Sequence, residues 1–211
     1  MNKTSGIHGI TEADIANAEA EVRNAEANLE RVQTANVTAA DIESAQAALR
    51  SAEAQLQALM AGLEGSGKPL LHTSGSSVVG DDARGSRCAD SVFDEATPMV
   101  VFPLRQARHD LDLEVLAAAD RGVRSAVICP SLIYGAGRGL NTLSVQVPFL
   151  VANAREQGVV QVVGAGLNVW SNVHIDDVVA LYLLALTGAP AGAFYFAENG
   201  EASFGEVGAA I

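Results

Sequence analysis

Residues 11–23 and 38–50 are two versions of one segment, and this repetition limits what the front of the chain can become. Thr11-Glu-Ala-Asp-Ile-Ala-Asn-Ala-Glu-Ala-Glu-Val-Arg23 aligns with Thr38-Ala-Ala-Asp-Ile-Glu-Ser-Ala-Gln-Ala-Ala-Leu-Arg50 at an offset of 27 residues. Ile15, Ala18, Val22, Ala25, Leu29 and Val32 recur at alternating spacings of three and four, and so do Ile42, Ala45, Leu49, Ala52, Leu56 and Leu59. That spacing is the seam of a coiled coil. Each copy opens on a threonine followed three residues later by an acid, Asp14 or Asp41, close to the capping box that satisfies orphan helix amides. The connection from Thr34 to Thr38 is short, which predicts an antiparallel α-helical hairpin. Alanine at half the seam positions lets the helices approach but buries little area, so the pair needs a third surface.

The grammar changes at Gly65-Ser-Gly-Lys-Pro69. No proline precedes Pro69 and no Phe, Trp or Tyr precedes Phe93, so the division falls between a hairpin at residues 1–64 and a second domain at residues 65–211. In the second domain, strands are expected at Leu70–Thr73, Ser125–Cys129, Val159–Val163 and Ala193–Phe196. Helices are expected from about Pro103 to Asp120, over Val145–Gln157, from His174 to about Thr187, and from Phe204 onward. Leu104, Ala107, Leu111, Val115 and Ala118 share one face of the first of these. Pro148 is tolerated because it falls in a first turn, and Asp176 is placed to cap the helix that follows it. Ser125-Ala-Val-Ile-Cys129 suits a strand buried on both faces. Alternating strand and helix makes this an α/β region with a parallel sheet and flanking helices, a partial Rossmann-like arrangement.

Charge and cysteine usage bear on partners. A net charge of −12 offers no basic stripe for nucleic acid. Cys88 and Cys129 lie far apart without a CxxC or a partnering histidine cluster, which points to a reduced, cytoplasmic setting and gives a metal site no support. Met1 to Gly6 lacks the apolar core of a signal peptide. The most apolar run, Val178–Leu186, is about half a bilayer span, so no membrane role is expected.

The chemistry-bearing stretch is Pro69-Leu-Leu-His-Thr-Ser-Gly-Ser-Ser-Val-Val-Gly80, an apolar run ending in hydroxyls and glycines. In a parallel sheet this is how a buried strand delivers polar groups to the carboxyl edge, where ligands bind. Three later segments join it in order: Arg124-Ser-Ala-Val-Ile-Cys-Pro-Ser-Leu-Ile-Tyr-Gly-Ala-Gly137, Asn172-Val-His-Ile-Asp-Asp-Val-Val-Ala180 and Gly192-Ala-Phe-Tyr-Phe-Ala-Glu-Asn-Gly200. Together the four resemble the extended short-chain dehydrogenase/reductases, the NAD(P)-dependent epimerase/dehydratase family, over residues 68–211. The hairpin, in its Ala-Glu-Ala runs and its repeat, weakly resembles the helical hairpins of membrane-fusion (adaptor) proteins.

The family resemblance implies hydride transfer at NAD or NADP, on a small or nucleotide-linked substrate. It implies a Ser or Thr that polarises the reacting group and a Tyr-x-x-x-Lys acting as acid/base. Counting back from Asp112 and Leu116 puts the tyrosine position at Leu104 and the lysine position at Arg108. A leucine transfers no proton, and the only lysines are Lys3 and Lys68. The serine position aligns with Gly75, leaving Ser74 or Ser76 to supply a hydroxyl, or either serine to satisfy backbone groups in a turn. By resemblance, Thr73, Ser74, Arg108, Pro130, Ser131, Leu132 and Ile133 are the cofactor-binding candidates, and Ser77, Tyr134 and His174 the substrate-binding ones. Arg108 serves equally as a surface ion-pair partner, and Tyr134 and His174 as packing residues.

No glycine-rich phosphate turn precedes residue 68, and Gly135-Ala-Gly137 follows the Pro130 loop instead of opening the first helix. The expectation is therefore an epimerase/dehydratase-like oxidoreductase with weak or lost catalysis. The alternative is a non-catalytic module in which the hairpin makes a homo-oligomer or covers a sheet edge.

Overall fold

The computed structural model describes residues 20, 22–24, 39–139 and 142–211. Of the first predicted helix, Ala20 and residues 22–24 are described and helical; its remainder and the Thr34–Thr38 connection lie outside the described residues. The chain divides into two compact units, residues 1–70 with 120–123, and residues 71–119 with 124–211.

In the first unit, α1 (Ala39–Leu63) carries the second copy of the repeat, and its buried positions are Ala45, Ala52, Leu56, Met60 and Leu63. Ala45, Ala52 and Leu56 are positions of the expected seam, whereas Leu49 is half-buried. Ile42 is exposed, and Met60 is buried in preference to Leu59. Past the helix end, Arg121 Nε pairs with Glu64 Oε1 at 3.3 Å while its Nη2 lies 3.8 Å from Met60 Sδ, so an arginine stem covers the last turn.

The second unit is built on a three-stranded sheet in the order β1 (Pro69–Thr73), β2 (Arg124–Pro130), β5 (Ala193–Ala197). Strand β2 runs parallel to β5, with Ala126 opposite Ala193 and Pro130 opposite Ala197. Six of the seven β2 residues are buried, as expected of a strand covered on both faces. Helix α2 (Gln106–Ala117) packs on one face. On the other, Ala126, Ile128 and Ala197 meet Ala185 and Ala189 at the end of α4 (Ile175–Gly188).

The predicted face of α2 holds at Leu111, Val115 and Ala118, which are buried. It fails at the start, where Ala107 is exposed and Leu104, in a short turn ahead of the helix, is 49% exposed. The helix turns instead on an axis that carries Asp112 into the core, where the Ser74 hydroxyl donates to its carboxylate.

A second small sheet contains β3 (Leu132–Tyr134), β4 (Val169–His174) and β6 (Glu201–Ser203), with β3 parallel and β6 antiparallel to β4. None of these three strands is marked by apolar alternation. Conversely, Val159–Val163 is not a strand, and both terminal valines are 56% exposed. The backbone beside it is taken by a loop: a carbon added at Gly85 would lie 1.9 Å from the Val163 carbonyl oxygen, and Leu167 donates to the Gly85 carbonyl at 3.0 Å. With its edge so occupied, the segment has no partner strand.

The remaining helices are α3 (Gln146–Gln157) and α5 (Phe204–Ala209). Helix α3 ends at Gly158, whose φ of 69° is left-handed and suits glycine. Helix α4 is capped by His174, whose Nδ1 accepts the Asp176 amide at 3.2 Å, and not by the Asp176 side chain. Helix α5 opens on a capping box between Ser203 and Glu206. Among the described residues no helix is long and apolar enough to cross a membrane.

Candidate functional site

Strand β1 delivers the polar cluster. Beyond Thr73 the pairing continues for one residue, with the Ser74 amide donating to the Ile128 carbonyl at 2.8 Å. Alternation along a strand sends His72 and Ser74 to one face and Thr73 to the other, and the hydrogen bonds follow that division.

On the α2 face, the Ser74 hydroxyl donates to Asp112 Oδ2 at 2.6 Å. His72 Nε2 stands 3.2 Å from Asp112 Oδ1. All three groups are buried, with relative exposures of 3% for His72, 6% for Ser74 and 1% for Asp112. Cys129, at the end of β2, belongs to the same surroundings. Burial pushes its thiol up to about 12, the negative charge of Asp112 acts in the same direction, and a hydrogen bond with Ser74 opposes both. A thiol so protonated is no nucleophile at neutral pH.

One turn before Asp112, Arg108 meets the strand end. A carbon added at Gly75 would lie 3.4 Å from Arg108 Nη1, so the guanidinium sits over the bare backbone of the turn. The serine and lysine positions inferred from the sequence are thus brought together. Leu104, at the tyrosine position, lies in the short 3₁₀ turn Pro103–Arg105 and presents an exposed aliphatic side chain.

Of the two catalytic candidates, Ser74 commits its proton to Asp112, while Ser76 is half-buried at the head of the 3₁₀ turn Ser76–Val79, beside Ser77. On the opposite face of β1, the Thr73 hydroxyl pairs with the Tyr182 phenol of α4. Tyr182 escaped the sequence reading; the signal available was one phenol among the aliphatic residues of that helix. It does not stand in for a phenol at the Leu104 position, because Thr73 and Ser74 face opposite ways along the strand.

The segment Pro130–Ile133 crosses from β2 to β3. Pro130 and Leu132 are buried and Ile133 is half-buried. Ser131 spends its polar atoms on structure: its amide and its hydroxyl both donate to the Ala197 carbonyl, at 3.0 and 3.1 Å. Tyr134 and His174, paired in register across β3 and β4, meet edge to face with ring centroids 5.3 Å apart. Because His174 Nδ1 accepts a backbone amide, its neutral form carries the proton on Nε2. Arg138 Nη2 reaches Asp176 Oδ2 at 3.3 Å on the exposed side of this group. Among the described residues no cluster of three His, Cys, Asp or Glu side chains suits a metal ion.

A model of the NAD dependent epimerase/dehydratase family matches residues 8–195. The match begins well ahead of the segments that carry the resemblance in the sequence. Among curated proteins, the chain is 31% identical over 185 residues to Oxidase ucsJ of an Acremonium species, covering 73% of this chain and 53% of that one. It is 29% identical over 137 residues to an uncharacterized protein of Schizosaccharomyces pombe, covering 64% and 41%. The chain therefore spans about half the length of the curated relatives it matches. Solved structures of similar fold include a dTDP-glucose 4,6-dehydratase from Bacillus anthracis in complex with NAD, at a TM-score of 0.59 and 20% identity over 88% of this chain and 59% of that one. Another is RMD from Pseudomonas aeruginosa complexed with NADPH, at a TM-score of 0.52 and 24% identity over 74% and 54%.

Proposed function

This chain belongs to the NAD dependent epimerase/dehydratase family, and from that premise we propose that it forms the nicotinamide side of an oxidoreductase of this kind, with weak or lost catalysis of its own. The observation that carries the reading is the meeting of Arg108 with Gly75 above the Ser74–Ser77 turn, next to an exposed leucine where a phenol is needed.

The residues at the strand ends fit the nicotinamide and ribose end of NAD or NADP. Gly75 leaves the backbone open, Arg108 brings a positive charge to it, and the Pro130–Ile133 segment supplies an apolar wall. When bound, the cofactor supplies hydride transfer. Thr73 and Ser131 support this edge through the partners already described, and Ser74 through Asp112. Ser76 is the hydroxyl assigned to polarise the reacting oxygen. Ser77, Tyr134 and the Nε2–H of His174 are assigned to a small or nucleotide-linked substrate, in keeping with the nucleotide sugar in one structural neighbour, MoeE5 with UDP-glucose and NAD. No pyrophosphate cradle of glycine-turn amides is among the described residues, so binding is expected to be weak.

Residues 1–64 are proposed as a separate helical appendage and as the contact through which the chain forms a homo-oligomer, supported by the repeated seam. A cytoplasmic setting is proposed from the exposed free Cys88.

Titration with NADH and NADPH, followed by chemical-shift changes, tests the cofactor reading. Saturable binding near about 1 mM, worth about −4 kcal/mol, is expected, without turnover of a nucleotide sugar. Affinity far tighter than this overturns the account of a missing cradle, turnover overturns that of lost catalysis, and absence of saturation overturns the cofactor itself.

A further inference from the structure

The buried cluster of His72, Ser74 and Asp112 takes no part in the chemistry above, yet it is the most polar object in the core. Asp112 is 1% exposed, and its oxygens face two groups on β1: Ser74 at 2.6 Å and His72 at 3.2 Å. The carboxylate takes its hydrogen bond from Ser74 and has the His72 imidazole beside its other oxygen, and in a low-dielectric interior it tolerates little displacement from either. Sliding α2 by one turn moves Asp112 about 5.4 Å along the helix axis and strips it of both.

Asp112 follows Arg108 by four positions, so the two lie on one helix face about 6 Å apart along the axis. The matching positions on β1 are Gly75 for Arg108 and Ser74 with His72 for Asp112. Helix and strand are thus registered at two levels, one buried and one at the ligand edge. Leu111 and Val115, buried on the same helix, add aliphatic burial that is non-directional.

We propose that Asp112 is a positioning residue: hydrogen-bonded to Ser74 and set against His72, it fixes the height and rotation of α2 and thereby holds the Arg108 guanidinium over Gly75. The cofactor arm of the test rests on the proposed function; the positional arm does not.

The experiment follows the Nε–Hε signal of Arg108 by nitrogen-15 NMR in the full chain, assigned by its loss in Arg108→Lys. A single narrow signal, displaced from those of exposed arginines, is expected for the unaltered protein. Asp112→Ala and Ser74→Ala are expected to broaden it or move it to the exposed position, while Asp112→Asn, which keeps an acceptor for Ser74, retains it. The dissociation constant for NADH is expected to rise about tenfold in Asp112→Ala, but by less than about twofold when Arg108→Ala is already present. If Asp112→Ala does not fold, Ser74→Ala carries both arms. An Arg108 signal unmoved in a folded Asp112→Ala or Ser74→Ala protein overturns the proposal, as does equal weakening with and without Arg108. A signal that responds to Asp112 but not to NADH upholds the lock and removes the cofactor reading.

Discussion

Gly135 packs so closely beneath His174 that a first side-chain carbon added to it would lie 2.5 Å from Nε2 of the imidazole. The glycine also has a φ of 103°, which L side chains rarely adopt. Gly135→Ala therefore carries two penalties, backbone strain of at least about 1 kcal/mol and displacement of the ring from its place beside Tyr134. A fall in Tm of about 2–4 °C per kcal/mol is expected for a chain of this size. Adding His174→Ala should recover the steric part and leave the backbone part. Equal Tm values for the single and double variants would contradict the contact.

The two cysteines should separate cleanly in a thiol titration. Cys88 is exposed and Cys129 buried, and the Cys129 thiol is held near 12 by burial and by Asp112. One thiol is expected to react with a disulfide reagent in the native protein, and a second on denaturation. The same shift has a sign for stability. Above the ordinary thiol range the unfolded chain releases this proton and the native state does not, so stability falls between about pH 9 and 12. In Cys129→Ala, alkaline denaturation curves should lose that component of the decline.

Replacing Leu104 by tyrosine together with Arg108→Lys restores the acid/base pair that the family resemblance implies. At high NAD concentration the double variant should gain turnover of a nucleotide sugar by about 10²-fold, the lower end of what general acid–base catalysis contributes. Turnover at the level of the unaltered protein would mean that the phenol position is misassigned or that another deficit dominates.

Ser203 and Glu206 close both halves of a capping box on the six-residue helix α5. The Ser203 backbone amide, then its hydroxyl, holds the Glu206 carboxyl below its ordinary value. As pH falls through that lowered value the carboxylate is lost and its half of the box with it, so that half's stabilisation is present above the ordinary carboxylate range and is lost in acid, while the Ser203 hydroxyl still caps the Glu206 amide. Ser203→Ala should raise amide exchange across residues 204–209 at neutral pH. Exchange there that matches the unaltered protein would deny the cap any role.

Much of this protein follows from local pattern alone. The run Ser125–Cys129 is apolar on both faces and too short for a helix, so a doubly covered strand is its natural state. The periodicity of Gln146–Gln157 and Ile175–Gly188 is local, and so is that of the second repeat copy, three of whose apolar positions, Ala45, Ala52 and Leu56, are buried on α1. Non-local pairing is another matter. Strands β3, β4 and β6 carry residues such as Ser171, Asn172 and Glu201 that advertise no strand, while the valines at 159–163 look like one and lack a free edge. Likewise, letters near Gly75 do not distinguish Ser74 from Ser76; the pleat and the 3₁₀ turn do, by sending one hydroxyl into the core and leaving the other half-buried.

Periodicity and strand-end chemistry in the chain itself determined the α/β class, the order of the main helices and central strands, and the edge at which polar groups gather, because these depend on neighbours a few residues apart. Tertiary structure alone decided that Asp112 is a core residue. Its carboxylate is buried only because a hydroxyl 38 residues away and an imidazole on the same strand meet it in space, and no local pattern encodes so distant a donor.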